Sequence, residues 1–478
     1  MIGREREKKE LLDLYDSNRC ELVAVYGRRR VGKTYLVEEV FGNDFTFRHA
    51  GLSPVDHEKK GLLKAQLDQF YFSLLKYGMK AKKKPSSWME AFYYLECFLE
   101  EHDDGSRQLL FIDELPWLDT PRSGFLTAFE GFWNNWGCRR KNLMLIVCGS
   151  ASSWILDNLI NNHGGLYNRI TYEIKLSPFN LNECEKFYLD KGLDMSRYDM
   201  VTSYMVLGGI PYYMGYFKRQ NSLAQNIDLL FFDSNAKLRD EYNRLFDSIF
   251  DRPEIMKSIV RTLSTRRIGL KRSELLKKLK MKEGEVFSKC LNALVTSDFV
   301  LKYIPFGEKA NECYYKLIDP FCLFWLHFVE GKNINDTGFW QKNLTSQPVV
   351  TWQGHAFENI CFNHVPQIKK ALDILGVMAN YSAWHIKDQK NGGVQIDMLL
   401  SRNDHIINMC EMKFYGGDYT VESNDYKSIL KRKEALLEQT DKKTAIHSTL
   451  ITTFGLEQNK YSSVFTNVIT LNDLFSEL

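Results

Sequence analysis

The run GRRRVGKT, Gly27 to Thr34, is the densest piece of chemistry in the chain, and it follows the apolar ELVAVY and precedes the helical pattern YLVEEVF. It fits the phosphate-binding pattern GxxxxGK[ST] in the strand–loop–helix setting that the pattern requires. The cradle is Gly27, Arg28, Arg29, Arg30, Val31, Gly32, Lys33, Thr34 and Tyr35. Its two glycines let successive N–H groups curl around phosphate oxygens, and the following helix presents its positive end to an anion. Lys33 supplies a point charge for the β- and γ-phosphates, and Thr34 offers a hydroxyl to a magnesium ion. A basic turn bounded by glycines by chance would carry neither the strand nor the helix. ATP and Mg2+ are the expected cofactors.

A second apolar run, LLFI, ends in Asp113 and Glu114. Asp113 is placed to hold the magnesium and Glu114 to polarise the attacking water, although paired carboxylates at a strand end also cap helices. A third run, NLMLIVCGS, ends at Ser150, which is placed either to bond the γ-phosphate or to start a turn. Strands alternating with helices predict a parallel sheet with helices on both faces, whose ligands gather at the C-terminal strand ends.

Far downstream lies a separate constellation: Glu358 in GHAFENICF, Asp397 in GGVQIDMLL, and Glu411 and Lys413 in IINMCEMKF. The period of a strand sends Glu411 and Lys413 to one face. The order Glu, Asp, ExK is that of the PD-(D/E)xK nuclease core. Asp397, Glu411 and Glu358 then serve as magnesium ligands, and Lys413 orients the water that attacks a DNA phosphodiester. Ile396 stands before Asp397, where a proline is conventional. Read alone, ExK on a strand is a weak signal, and a domain kept for docking or packing remains the alternative.

Elements must hold these residues in place, and 478 residues with 44% hydrophobic and 13% aromatic content provide ample core for about three domains. No apolar run reaches the roughly 18 residues that span a bilayer, and the charged start MIGREREKKELLDLY is unlike a signal peptide. Ten scattered cysteines without a CxxC pair predict reduced thiols and a cytoplasmic location. Between Lys257 and Lys282 ten basic residues stand against Glu274 alone. There the pattern reads helix, turn, helix and β-wing, with Val286, Cys290, Leu291 and Leu294 as the buried stripe of the second helix. Such a unit predicts either DNA contact or packing between domains. GKNINDTG, after Glu330, looks like a linker.

IGREREKKELL, the phosphate loop, FIDE, CGSASS and GGLYNRITYEIKLSPF occur in one order. Together they resemble the archaeal-type ATPase family within the AAA+ and STAND group of P-loop proteins, over roughly Met1 to Phe217. The resemblance implies that Gly3 and Arg4 lie at the base pocket and that Pro211, in the GGxP element Gly208, Gly209, Pro211, touches the base. It also makes Arg169 an arginine finger or γ-phosphate sensor, acting in cis or from a neighbouring subunit, so assembly as a homo-oligomer or with a protein partner is open. Asn168 stands where the family usually has glycine. The family also carries a winged helix at the basic segment and often a nuclease-like domain after it.

The expected fold is α/β: a P-loop NTPase parallel sheet over 1–178, a helical lid over 179–250, a winged helix over 251–330 and a restriction-endonuclease-like domain over 331–478. The expected function is an ATPase controlling a Mg-dependent nuclease-like domain acting on DNA. The alternative is a STAND-like ATP switch or DNA-binding regulator with a catalytically inactive C-terminal domain.

Overall fold

The computed structural model describes all residues except 1, 43, 55–60, 162–163, 250–251, 310–311, 333–336 and 387–392. Half of the expected linker GKNINDTG (333–336) and Gly392 of the glycine turn therefore lie outside the described residues. The chain forms two compact units, one of Met1–Pro178 with Asn243–Pro253, the other of Phe179–Tyr242 with Glu254–Leu478.

In the first unit, α1 (Glu5–Tyr15) leads into β1 (Glu21–Tyr26), followed by α2 (Lys33–Phe41) and β2 (Phe47–Ala50). β3 (Gln108–Asp113), β4 (Leu143–Gly149) and β5 (Tyr172–Lys175) complete a parallel sheet in the order β2-β3-β4-β1-β5. Every residue of β1, β3 and β4 is buried, as a parallel sheet covered on both faces requires. One face packs on an aromatic core of Phe47, Phe70, Trp88, Phe92, Phe125, Phe129 and Phe132.

Register decides where the chemistry emerges. Tyr26 pairs with Gly149, so Gly27 and Ser150 leave the sheet side by side. Ile112 pairs with Val147, which brings Asp113 out at the same edge.

The second unit begins with short helices, including Leu181–Asp190, Arg197–Leu207, Pro211–Met214 and Leu223–Phe231. Helices Pro253–Ser264, Arg272–Leu279 and Glu285–Thr296 follow, with β6 (Leu270–Lys271), β7 (Val300–Tyr303) and β8 (Tyr314–Leu317) in an antiparallel sheet ordered β6-β8-β7. Cys290, Leu291 and Leu294 are buried as expected, but Val286 is exposed and Phe287 takes its place in the core. The helix starts at Glu285, and its inward face runs through 287, 290, 291 and 294, so position 286 falls off the stripe.

β9 (Ala379–Ile386), β10 (Val394–Arg402), β11 (Ile406–Lys413), β12 (Ala445–Thr452) and β13 (Asn467–Ile469) form the last sheet, ordered β13-β12-β11-β10-β9. β9, β10 and β11 are antiparallel, and β11, β12 and β13 are parallel. Helices Gln347–Asn363 and Ser423–Leu437 pack against it. Phe231, Phe324, Phe328, Trp340 and Trp352 knit the segments of this unit into one aromatic core.

Candidate functional sites

Gly27 has no room for a side chain: its φ is +147°, and a Cβ there would stand 2.1 Å from the Leu176 carbonyl oxygen. The chain thereby turns tightly at the end of β1. Gly32 caps α2 at φ +93° with open space around it, so its need is conformational. Lys33 is buried and threads back through the loop. Its Nζ donates to the carbonyls of Gly27 (3.0 Å) and Arg28 (2.9 Å) and to Ser150 Oγ (3.1 Å).

The acidic pair is equally fixed. Thr34 Oγ1 donates to Asp113 Oδ2 at 2.7 Å, while Asp113 Oδ1 accepts the N–H of Glu114 at 2.9 Å. Glu114 holds a left-handed backbone (φ 47°, ψ 48°), uncommon for a non-glycine residue and typical of strained functional positions. Its two oxygens accept from the Ser150 N–H (3.0 Å) and hydroxyl (2.6 Å). Because β4 lies between β1 and β3, Ser150 connects Lys33 to Glu114, a link the sequence did not reveal. Thr34 and Asp113 present hard oxygen donors one hydrogen bond apart, which fits magnesium.

Of the other expected nucleotide residues, Gly3 and Arg4 both have positive φ, and the buried Arg4 donates through Nη2 to the Ser177 carbonyl. Arg28 is fully buried, Arg29 and Arg30 are half-buried, Val31 is buried and Tyr35 is exposed. Arg169 is exposed and forms no ion pair among the described residues. Asn168 just before it adopts φ 54°, the left-handed region in which asparagine substitutes for glycine most readily. Pro211 opens its short helix in the second unit.

The basic segment differs from the lopsided run read in the sequence. Lys257 pairs with Glu254, Arg261 with Glu330, Lys271 with Glu312, and Arg272 with Glu283. These acids lie just outside the counted stretch or arrive from later elements. Arg266, Arg267, Lys277, Lys278, Lys280 and Lys282 remain exposed.

The downstream carboxylates occupy β10, β11 and the helix Gln347–Asn363. The β9–β10 register shifts between Ile396 and Leu399, which sets Asp397 at an irregularity that re-aims its side chain. Glu358 and Glu411 are buried. Burial, then the charges of Glu358 and Glu411, raise the pKa of Asp397; burial likewise raises that of Glu358. Lys413 Nζ lies 2.9 Å from Glu411 Oε1, and Arg432 binds Glu411 Oε2. Burial opposes the Lys413 charge, but Glu411 outweighs it and the pKa is raised. Two further cations act on Glu358: Lys316 of β8, then Arg267.

These carboxylates are the donor type magnesium prefers, yet among the described residues no three acidic, histidine or cysteine side chains are gathered to hold a metal. Glu358, Asp397 and Glu411 are thus not gathered as a ready metal shell, and Lys413 and Arg432 occupy the Glu411 oxygens. In this arrangement the residues do not fit the ion. Arg267, Lys316 and Arg432 were missed in the sequence. Arg267 left a trace there as one residue of the basic segment and Lys316 as a lysine inside an apolar, aromatic strand, whereas Arg432 left none.

The ten cysteines are all free thiols, and no described helix is long and apolar enough to cross a membrane.

Among the comparisons with known proteins, the family match agrees with the first site. Residues 1–217 match the model of a family described as an ATPase domain predominantly from Archaea. The chain is 22% identical over 425 residues to an uncharacterized protein of Methanocaldococcus jannaschii, covering 86% of this chain and 87% of that one. A Walker-type ATPase of Pyrococcus abyssi matches with 20% identity and a TM-score of 0.46, over 68% of this chain and 96% of that one. The Aeropyrum pernix ORC2 protein matches with 13% identity and a TM-score of 0.40, over 72% and 96%. A signal transduction ATPase with numerous domains from Pyrococcus horikoshii matches with 14% identity and a TM-score of 0.29, over 79% and 52%. Residues 1–217 are thus similar to an archaeal-type ATPase domain, a likeness that supports ATP binding and ATPase activity.

Proposed function

We propose that the chain is an ATP-hydrolysing switch in which the state of the nucleotide site controls a DNA-engaging C-terminal part. The observation that carries the ATPase half is the linked set Lys33–Ser150–Glu114 beside Thr34–Asp113 at one edge of the sheet. In this reading the loop N–H groups and Lys33 bind and orient the triphosphate. Glu114 accepts the proton of the attacking water, and Ser150 positions that carboxylate. Thr34 and Asp113 hold magnesium, which supplies positive charge to the phosphate oxygens. Arg169 serves as a finger toward a neighbouring copy, and Gly3 and Arg4 serve the base.

In the second unit, the element order around β6, β7 and β8 supports a winged helix at 251–330, preceded by a helical lid at 179–250. Lys277, Lys278, Lys280 and Lys282 supply its phosphate contacts. The mixed five-stranded sheet with Glu358, Asp397, Glu411 and Lys413 supports a restriction-endonuclease-like domain at 331–478. The pairing of Glu411 with Lys413 and Arg432 favours docking of DNA over its cleavage. A second reading, a Mg-dependent nuclease under ATP control, is favoured by the presence of all four polar residues of the nuclease order.

ATP turnover and Mg2+-dependent DNA cleavage, measured side by side on the wild type, Lys33→Ala and Asp397→Ala, separate the two. Turnover lost in Lys33→Ala with no cleavage in any sample supports the switch. Cleavage that needs ATP and Asp397 establishes the nuclease, and a wild type without turnover overturns both.

A further inference from the structure

β8 carries an ammonium where an apolar side chain would serve the fold. All four residues of Tyr314–Leu317 are buried, and Lys316 is only 3% exposed. A lysine charge is rarely taken out of water unless opposite charge or acceptors receive it. Here Nζ donates to the Arg267 carbonyl at 2.8 Å and stands 4.8 Å from the centroid of the Phe362 ring. Phe362 follows Glu358 by one helical turn, so the two share a face of Gln347–Asn363 and the ammonium is held over that face. Burial lowers the Lys316 pKa, while Glu358 and then Asp397 act to raise it. Glu411 is meanwhile bound by Lys413 and Arg432. Cations belonging to the chain itself thus act on all three carboxylates, and one of these cations comes from an element preceding the whole C-terminal segment.

We propose that Lys316 is the resident counter-ion of the C-terminal carboxylates and keeps a divalent cation out of them. A site that recruits a divalent ion from solution offers it uncompensated negative charge. This one holds an ammonium whose charge acts on Glu358 and Asp397, and an incoming ion meets like charge. The inference rests on the reading of Glu358, Asp397 and Glu411 as one site.

The test is Mn2+ binding to the full chain without nucleotide, by calorimetry and by the free-ion EPR signal. Lys316→Met keeps the length of the side chain and removes the charge. It is expected to gain a Mn2+ site at least tenfold tighter than any in the wild type, with a thermal midpoint that falls in chelator and recovers with Mn2+. Lys316→Arg is expected to bind as weakly as the wild type. Adding Asp397→Asn to Lys316→Met is expected to abolish the gain. Unchanged Mn2+ affinity in a folded Lys316→Met protein overturns the inference, as does a tight wild-type site that Asp397→Asn removes; the latter leaves the reading of the carboxylates standing. A gain that survives Asp397→Asn shows instead that the carboxylates are not the site. If Lys316→Met does not fold, Lys316→Gln provides the same comparison.

Discussion

His364 makes the stability of the second unit depend on pH in a calculable way. Its ring is fully buried between two backbone partners: Nδ1 donates to the Ile360 carbonyl at 2.7 Å, and Nε2 accepts the Leu181 N–H at 3.0 Å. A proton on Nε2 would set donor against donor, and burial holds the pKa down at about 4. An unfolded chain takes up that proton near pH 6.5. Between these values the unfolded state binds more protons, so the stabilisation is complete above pH 6.5 and is lost as the pH falls toward 4. Linkage with these two pKa values gives a loss of about 2 kcal/mol between pH 7 and pH 5. The assay is hydrogen exchange with mass spectrometry on peptides covering Leu181–Asp190 and Gln347–Asn363, which reads local opening and does not require the whole chain to unfold as one. His364→Gln retains an acceptor and cannot titrate. It is expected to cost about 1 kcal/mol at pH 7 and to remove about 2 kcal/mol of the difference between pH 7 and pH 5. His355, also depressed to about 4, contributes equally to both proteins and drops out of the comparison. A variant with the same pH dependence as the wild type would refute the assignment of that proton to His364.

Substitutions at four residues test other parts of the structure. Gly27→Ala must displace either the loop or the Leu176 carbonyl as well as adopt a positive φ, a cost of about 3 kcal/mol or more, whereas Gly32→Ala meets only the backbone penalty of about 1–2 kcal/mol; thermal melts and nucleotide affinity should rank them in that order. Ser150→Ala removes the hydroxyl shared by Lys33 and Glu114 while keeping the N–H bond to Glu114. ATP turnover is expected to fall roughly tenfold, about 1.4 kcal/mol in barrier, with nucleotide affinity nearly unchanged, as titration and steady-state kinetics would show. Asp228, 5% exposed, accepts the N–H of Trp340 and both the N–H and side-chain amide of Gln341. Asp228→Ala is expected to destabilise the second unit by about 2–3 kcal/mol and Asp228→Asn by less, measured as local exchange over Phe339–Asn343.

What the sequence disclosed and what it concealed divide along the range of the interaction. The loop Gly27–Thr34 was legible because strand, turn glycines and helix are consecutive, and Asp113–Glu114 because a buried strand ends in charge. Glu411 and Lys413 share a face through a two-residue period that needs no tertiary knowledge. By contrast, Lys316 and Arg432 reach the carboxylates from elements whose positions only the folded chain defines, and no local pattern marks Arg432. Charge counting failed in the basic segment for the same reason. Glu254, Glu283, Glu312 and Glu330 neutralise residues that a window from 257 to 282 leaves unmatched. The link through Ser150 required the strand order, since only β4 between β1 and β3 makes that serine a bridge.

The first unit is assembled from two separate stretches, Met1–Pro178 and Asn243–Pro253, with Phe179–Tyr242 of the second unit threaded between them. The polypeptide therefore passes between the units three times. A single protease cut at one crossing leaves the two units covalently joined, and no fragment ending near residue 178 contains a complete first unit. During synthesis, residues 1–178 leave the ribosome while the stretch that finishes their unit is still untranslated. The stretch that completes that unit follows a portion of its neighbour in the chain, which ties the completion of the first unit to the order of translation.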